Sequence, residues 1–136
     1  MDADFDSTLE SVDSAEDTVL KAAGDLGFGE DDLHKIGIAV RESMVNAVVH
    51  GNRYNIRKKV HLQVKRGTDR LIVEIRDEGE GFELESIPDP LAEENLLRHS
   101  GRGILLMQAF MDEFEMNRAA PKGTAVRMVK YLDKAS

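Results

Sequence analysis

Glu42 and Asn46 are a polar pair four positions apart in a mostly apolar segment. At helical spacing both side chains project from one face, about one turn apart. A carboxylate can accept a proton from a hydroxyl or water, and an amide oxygen is a hard ligand suited to Mg²⁺. Taken alone, such a pair is more often the solvated face of a helix. Its apolar neighbours, among them Val45 and Val48, mean that polar residues here need a reason.

A second candidate is the segment D-E-G-E-G-F at 77–82, which follows a run of alternating apolar residues. Its glycines, Gly79 and Gly81, permit positive φ and let the backbone approach a ligand closely. The carboxylate of Asp77 can accept a hydrogen bond from an adenine amino group. The alternative, an ordinary acidic turn, stays open for this motif alone.

Two further glycine motifs lie nearer the C-terminus. Gly101, Arg102 and Gly103 open a predicted helix, where unpaired backbone N–H groups favour phosphate, although a plain loop-to-helix junction has the same pattern. Thr124, after Gly123, stands where a turn leads into a strand, so its hydroxyl either reaches a nucleotide or merely ends the turn. The chain has neither the Walker motif nor the G-x-G-x-x-G dinucleotide motif.

The order and spacing of these pieces point to a known superfamily. The motifs read E-S-M-V-N-A-V-V-H-G-N at 42–52, R-D-E-G-E-G-F at 76–82, S-G-R-G-I-L-L-M at 100–107 and G-T at 123–124. They resemble the N box and the glycine boxes of the GHKL ATPases, the superfamily of gyrase, heat-shock chaperone, histidine kinase and mismatch-repair proteins. Within it, the chain looks most like the stand-alone anti-sigma-factor serine kinases of bacteria. The resemblance implies a Bergerat-type α/β sandwich that binds ATP with Mg²⁺.

The resemblance also implies a role for each matched residue. Glu42 would be the catalytic base, Asn46 the Mg²⁺ ligand and Asp77 the adenine-binding acid, while the other matched residues would complete the base pocket (Gly79, Gly81, Thr124) or bind phosphates (Gly101, Arg102, Gly103). Arg102 is equally well explained as a solvated arginine of the lid. His50 is left outside the site, and His34, His61 and His99 share no metal-ligand spacing, so no zinc is expected.

Three functions were weighed against each other. In the first, an ATP-dependent protein serine kinase and anti-sigma factor phosphorylates a small antagonist protein and sequesters a sigma factor, with a homodimer left open. In the second, a non-catalytic binding module uses nucleotide only to set its own shape. The third, the ATP-binding half of a sensor histidine kinase, is disfavoured because the helix predicted before residue 42 carries no phosphoacceptor histidine.

The elements that would position these residues follow from hydrophobic periodicity. Helical spacing predicts one helix from Asp13 to Leu26 and a second, capped by Asp31 and Asp32, that continues to His50. Alternation predicts a hairpin, with strands around 60–64 and 71–75, and Gly67 to Asp69 as its turn. The first dozen residues fit either a frayed tail or a short edge strand.

Residues 83–102 carry two prolines, several acids and little periodicity, so we expect a lid over the nucleotide. A helix over 104–111 and two closing strands complete the pattern. Grouped helices and antiparallel strands predict an α+β two-layer sandwich, with a mainly antiparallel sheet covered on one face by helices, as a single domain over residues 1–136.

Composition narrows the class of protein. The 136 residues contain no cysteine, so disulfides and thiolate metal sites are excluded. A net charge of -8 disfavours binding to nucleic acid, which needs clustered cations. No apolar run approaches the roughly 20 residues of a membrane span, and the acidic start is unlike a secretory signal, so a cytoplasmic protein is expected.

Overall fold

The computed structural model describes residues 1–79, 103–119 and 122–132. These form a five-stranded antiparallel sheet in the order β1-β2-β3-β5-β4. The elements in chain order are β1 (Asp2–Asp6), α1 (Leu9–Leu26), α2 (Glu30–Val45), a π-helical turn (Asn46–Gly51), β2 (Lys59–Arg66), β3 (Arg70–Arg76), α3 (Gly103–Phe110), β4 (Glu113–Arg118) and β5 (Thr124–Tyr131). The predicted two-layer α+β sandwich is confirmed.

The central hairpin has the predicted alternation. β2 and β3 pair so that Leu62 lies opposite Ile75 and Val64 opposite Val73, and these four side chains are buried. Gly67 donates its N–H to the carbonyl of Arg70 and closes the turn. Successive side chains point to opposite faces of a strand, so this register gives the sheet one apolar face and one polar face.

The N-terminal segment is an edge strand and not a frayed tail. β1 pairs antiparallel with β2 over its whole length, from Asp2 opposite Gln63 to Asp6 opposite Lys59. The chain then enters α1 four residues earlier than periodicity predicts, because Thr8 caps the helix by accepting the N–H of Ser11.

Both long helices lie on the apolar face of the sheet. α1 buries Val12, Ala15 and Val19 in the same core as the hairpin, and it ends at Gly27, whose φ of 112° is left-handed. The predicted caps of α2 were wrong. Gly29 is the N-cap, and Asp31 and Asp32 lie in the first turn, where carboxylates still interact favourably with the helix dipole.

The short helix α3 joins the same layer and packs against α2. Its last carbonyl oxygens are near Lys130, a buried side chain of β5 whose Nζ donates to Phe110 O at 2.9 Å. A cation suits the C-terminal end of a helix dipole. Within the described parts of the chain, no helix has the length and hydropathy that crossing a membrane requires.

Candidate functional site

Asp77 is the buried acid of the site. It lies one residue beyond β3, is only 4% exposed, and its Oδ1 accepts the backbone N–H groups of Gly79 at 2.9 Å and Thr124 at 3.2 Å. Its own N–H donates to Thr124 O at 3.0 Å. Burial raises the pKa of Asp77, and the two N–H donors and the charge of Lys58 only partly oppose this. A buried acceptor therefore lies where β3 and β5 begin to separate.

Three glycines bring backbone against this acid. A Cβ at Gly51 would collide with the Asp77 carboxylate, one at Gly79 with the carbonyl of Gly51, and one at Gly123 with the carbonyl of Asp77. Gly123 also has a left-handed φ of 106°. Only glycine allows these approaches, so this part of the site is walled by main chain.

A π-helical turn puts Asn46 and Gly51 on the same side of the helix. Backbone bonding from residue i to i+5 widens the turn and brings residues five apart closer to one face, whereas at 3.6 residues per turn they would diverge by about 140°. The N–H of Asn52 accordingly donates to Ala47 O at 2.8 Å. Asn46 lines a cavity beside Asp77, and Gly51 packs against the Asp77 carboxylate.

That cavity is small and has polar atoms to spare. Its volume is about 10 Å³, room for about one water molecule, between polar residues and an apolar wall formed by Ala47, Ile75, Met116 and Val126. Among the described residues, Ser43 Oγ, Asn46 Nδ2 and Thr124 Oγ1 are buried without a hydrogen-bond partner. Buried polar atoms are nearly always paired, so three orphans around one cavity fit a polar ligand or water.

The start of α3 lies against Glu42. A Cβ at Gly103 would be 2.8 Å from Glu42 Oε2 and 3.7 Å from Asn46 Nδ2. Glu42 is half-buried, one turn before Asn46 on the same helix. The structure therefore brings Gly103 beside Glu42 and Asn46, a proximity that the sequence indicates only through the order of the motifs. A helix N-terminus at this point would favour a bound anion.

Several predicted site residues lie outside the described part of the chain, namely Gly81, Gly101, Arg102 and the lid at 83–102. His50 is exposed, and His34 is exposed on α2, far along the chain from His61. No cluster of three or more His, Asp or Glu side chains within the described residues could hold a metal ion. A metal at Asn46 could take its other ligands from phosphate oxygens and water.

His61 joins β1 to the loop after β3. Its Nδ1 is 2.6 Å from Asp4 Oδ1, and its Nε2 is 2.6 Å from Glu78 Oε2. Burial lowers the pKa of His61, but the hydrogen bonds to both carboxylates outweigh this, so the pKa is raised. Burial alone would raise the pKa of Glu78, but the bonds from His61 and the Lys59 N–H lower it.

Sequence reasoning missed three residues of this region. Ser43, Gly51 and Asn52 all lie in the motif at 42–52, but the sequence assigns Ser43 no role and marks Gly51 and Asn52 only as the end of the predicted helix. Asn52 is buried and bonds to three separate segments. Only the H-G-N sequence at the end of a mostly apolar helix could have drawn attention to the last two.

Comparison with known proteins matches the sequence to a family. The family model described as the histidine kinase-like ATPase domain matches residues 5–130. The chain is 31% identical over 137 residues to the anti-sigma F factor of Bacillus subtilis (strain 168), covering 99% of this chain and 94% of that protein. It is 32% identical over 136 residues to the anti-sigma F factor of Thermoanaerobacter sp. (strain X514), covering 97% and 93%.

Proposed function

The chain belongs to the histidine kinase-like ATPase family, and from that premise we propose that it is an ATP-dependent serine kinase and anti-sigma factor. It would phosphorylate a serine on a small antagonist protein and sequester a sigma factor. The observation that carries the nucleotide part is the buried Asp77 acceptor beside a cavity with three unpaired polar atoms. The sigma factor is inferred from the names of the relatives. As part of the same proposal, the protein is a single cytoplasmic domain that binds no nucleic acid and can form a homodimer.

Adenine would bind at the Asp77 end of the site. The carboxylate would accept the adenine amino group, while the Thr124 hydroxyl and Ser43 Oγ offer the polar atoms that the cavity leaves unpaired. The apolar wall, including Ile75 and Met116, suits the face of a purine ring, and the cavity would have to widen from its room for about one water molecule to admit that ring. Gly79 holds the carboxylate through its N–H, and Gly81 follows two residues later in the sequence.

The phosphates would lie at the Glu42 end. Asn46 would hold Mg²⁺ through its amide oxygen, and the charge of the ion would offset that of the phosphates. The N-terminus of α3 at Gly103, with Gly101 and Arg102 before it in sequence, would bind phosphate oxygens.

Glu42 would serve as the base for transfer. It would take the proton of the substrate serine hydroxyl as that oxygen bonds to the γ-phosphorus and ADP departs. Its half-buried position against the start of α3 supports a role in chemistry over a solvated helix face. The alternative, a nucleotide-gated binding module without catalysis, predicts no transfer by the parent protein.

A radiolabelled-ATP transfer assay, using partners recovered by co-purification, tests the proposal. Glu42→Gln keeps the shape of the side chain and should lower transfer by about 10²-fold or more, with little change in nucleotide affinity. Glu115→Gln, an exposed site on β4, is the matched control and should behave as the parent. Full transfer by Glu42→Gln would refute the role of that residue. If the parent binds a sigma factor but transfers no phosphate, the binding-module alternative holds.

A further inference from the structure

Asn52 is a buried amide that ties together three segments next to the proposed adenine pocket. It is 2% exposed and directly follows Gly51. Its Oδ1 accepts the N–H of Glu78 at 2.8 Å, and its Nδ2 donates to Ser7 Oγ at 2.9 Å and to Lys59 O at 3.0 Å. The amide therefore makes three bonds, one of them to the loop that carries Asp77.

The bond to Glu78 acts on the geometry of Asp77. The Glu78 N–H belongs to the planar peptide unit that begins at the Asp77 Cα. Anchoring that N–H fixes the plane and limits how far the Asp77 Cα and its carboxylate can turn. The side chain of Glu78 is held as well, because its carboxylate accepts the Lys59 N–H at 3.2 Å and pairs with His61. Glu78 is thus held at its backbone and at its side chain, while Asp77 lines the cavity.

Strain beside Asn52 shows that this junction is tightly determined. The chain leaves the π-helical turn through Arg53 and Tyr54, whose φ values of 51° and 60° are left-handed. Residues that are not glycine remain in that region only where the surrounding structure holds them there. The three bonds of Asn52 supply such a constraint at the adjoining position.

We infer that Asn52 is a positioning residue that orients the Asp77 carboxylate for selection of the adenine base. This inference rests on the proposed function. An amide suits the position because it offers one acceptor and two donors on one plane, and neither aspartate nor alanine offers both. A merely structural role, joining β1 to β2, is the competing explanation.

The test compares ATP with inosine triphosphate, which has a carbonyl in place of the adenine amino group. Titration calorimetry with Mg²⁺ measures both affinities, and the parent should prefer ATP. Asn52→Ala should reduce that preference by about tenfold, the loss expected of roughly one hydrogen bond, because a misoriented carboxylate no longer selects the amino group. Loss of stability alone would weaken both nucleotides equally.

Two controls separate orientation from stability. Ser7→Ala removes a buried partner of Asn52 but leaves the Glu78 bond, so the variant should be less stable while its nucleotide preference is unchanged. Asn55→Ala removes an amide oxygen that accepts the Arg57 N–H at 2.9 Å in the exposed loop just after the π-helical turn, and it should leave the preference intact.

The outcomes are distinct. If Asn52→Ala keeps the full preference for ATP, the inference is refuted and the proposed adenine site stands. If the parent shows no preference, the proposed adenine site fails and this inference fails with it. Should Asn52→Ala not fold, Asn52→Ser takes its place. The shorter side chain keeps a polar group at the site but cannot span the bonds to both the Glu78 N–H and Lys59 O, so an unchanged preference there would also refute the inference.

Discussion

Replacing Gly51 by alanine is the sharpest test of the site's packing. The three atoms closest to the added methyl group would be the carboxylate carbon and both carboxylate oxygens of Asp77, and the methyl group would collide with all three. The φ of Gly51 is not among the left-handed values, so backbone strain does not contribute. The main effect should therefore come from displacing the Asp77 carboxylate.

The size of the effect follows from what that displacement breaks. Oδ1 holds the N–H groups of Gly79 and Thr124, and a shift large enough to clear a methyl group loses at least one of them. A hydrogen bond to a charged group is worth about 1.5–3 kcal/mol, and overpacking costs about 1–3 kcal/mol. Since the two terms overlap, we expect the unfolding free energy to fall by about 2–4 kcal/mol.

Urea unfolding measures this change, with Gly24→Ala as the matched control. Gly24 lies in α1, and a Cβ there meets nothing within 4 Å. Alanine should therefore raise stability at that position by about 0.5–1 kcal/mol, because it restricts the unfolded chain and favours the helix. The two substitutions should have opposite signs. A Gly51→Ala protein as stable as the parent would refute the close packing of this glycine on Asp77.

Three further predictions follow from buried or paired charges. Because burial raises the pKa of Asp77 in the fold, this group favours folding below its ordinary pKa and loses that contribution as pH rises through the raised value. Asp77→Asn should therefore be more stable than the parent at pH 7, as measured by thermal unfolding. The same variant should bind ATP less well, as measured by calorimetry. The pKa of His61 is also raised in the fold, so its stabilisation is complete below pH about 6.5 and is lost as pH rises through the raised pKa. His61→Gln should flatten that fall in unfolding free energy, whereas the exposed His34→Gln should not. Lys130→Met leaves Phe110 O without its donor and should cost about 1–3 kcal/mol by urea unfolding, while the exposed Lys65→Met changes little.

Most of the fold was predictable because the local hydrophobic periodicity of the sequence predicts most of its elements. The hairpin and α3 each follow from a run of apolar residues and a turn signal. β1 was not predictable in this way. Its five residues, D-A-D-F-D, include only two apolar side chains, Ala3 and Phe5, so a frayed tail and an edge strand both fitted the sequence. What makes it a strand is pairing with β2, more than fifty residues away, and a local pattern contains no such information.

Motifs predicted which residues would form the site, but they did not predict its geometry. Spacing placed Glu42 and Asn46 on one helical face correctly, since α2 is regular up to Val45. The same α-helical rule would have turned Gly51 away from Asn46. The π-helical turn changes the phase of the helix at this point, and nothing in the sequence N-A-V-V-H-G marks it. Gly51 and Asn52 therefore had to be found by their contacts with Asp77 and Glu78.

These contacts explain why so much main chain surrounds one carboxylate. An acid that must accept a bond from a ligand has to keep its charge near neutral pH, yet burial raises its pKa. Donors from backbone N–H groups partly offset that cost, and they remain in place whichever side chains the neighbouring residues carry. Glycines at 51, 79 and 123 let the backbone approach closely enough to supply and frame these bonds. In the proposed adenine site, selectivity would then depend on the orientation of Asp77, which Asn52 constrains through the peptide N–H of Glu78.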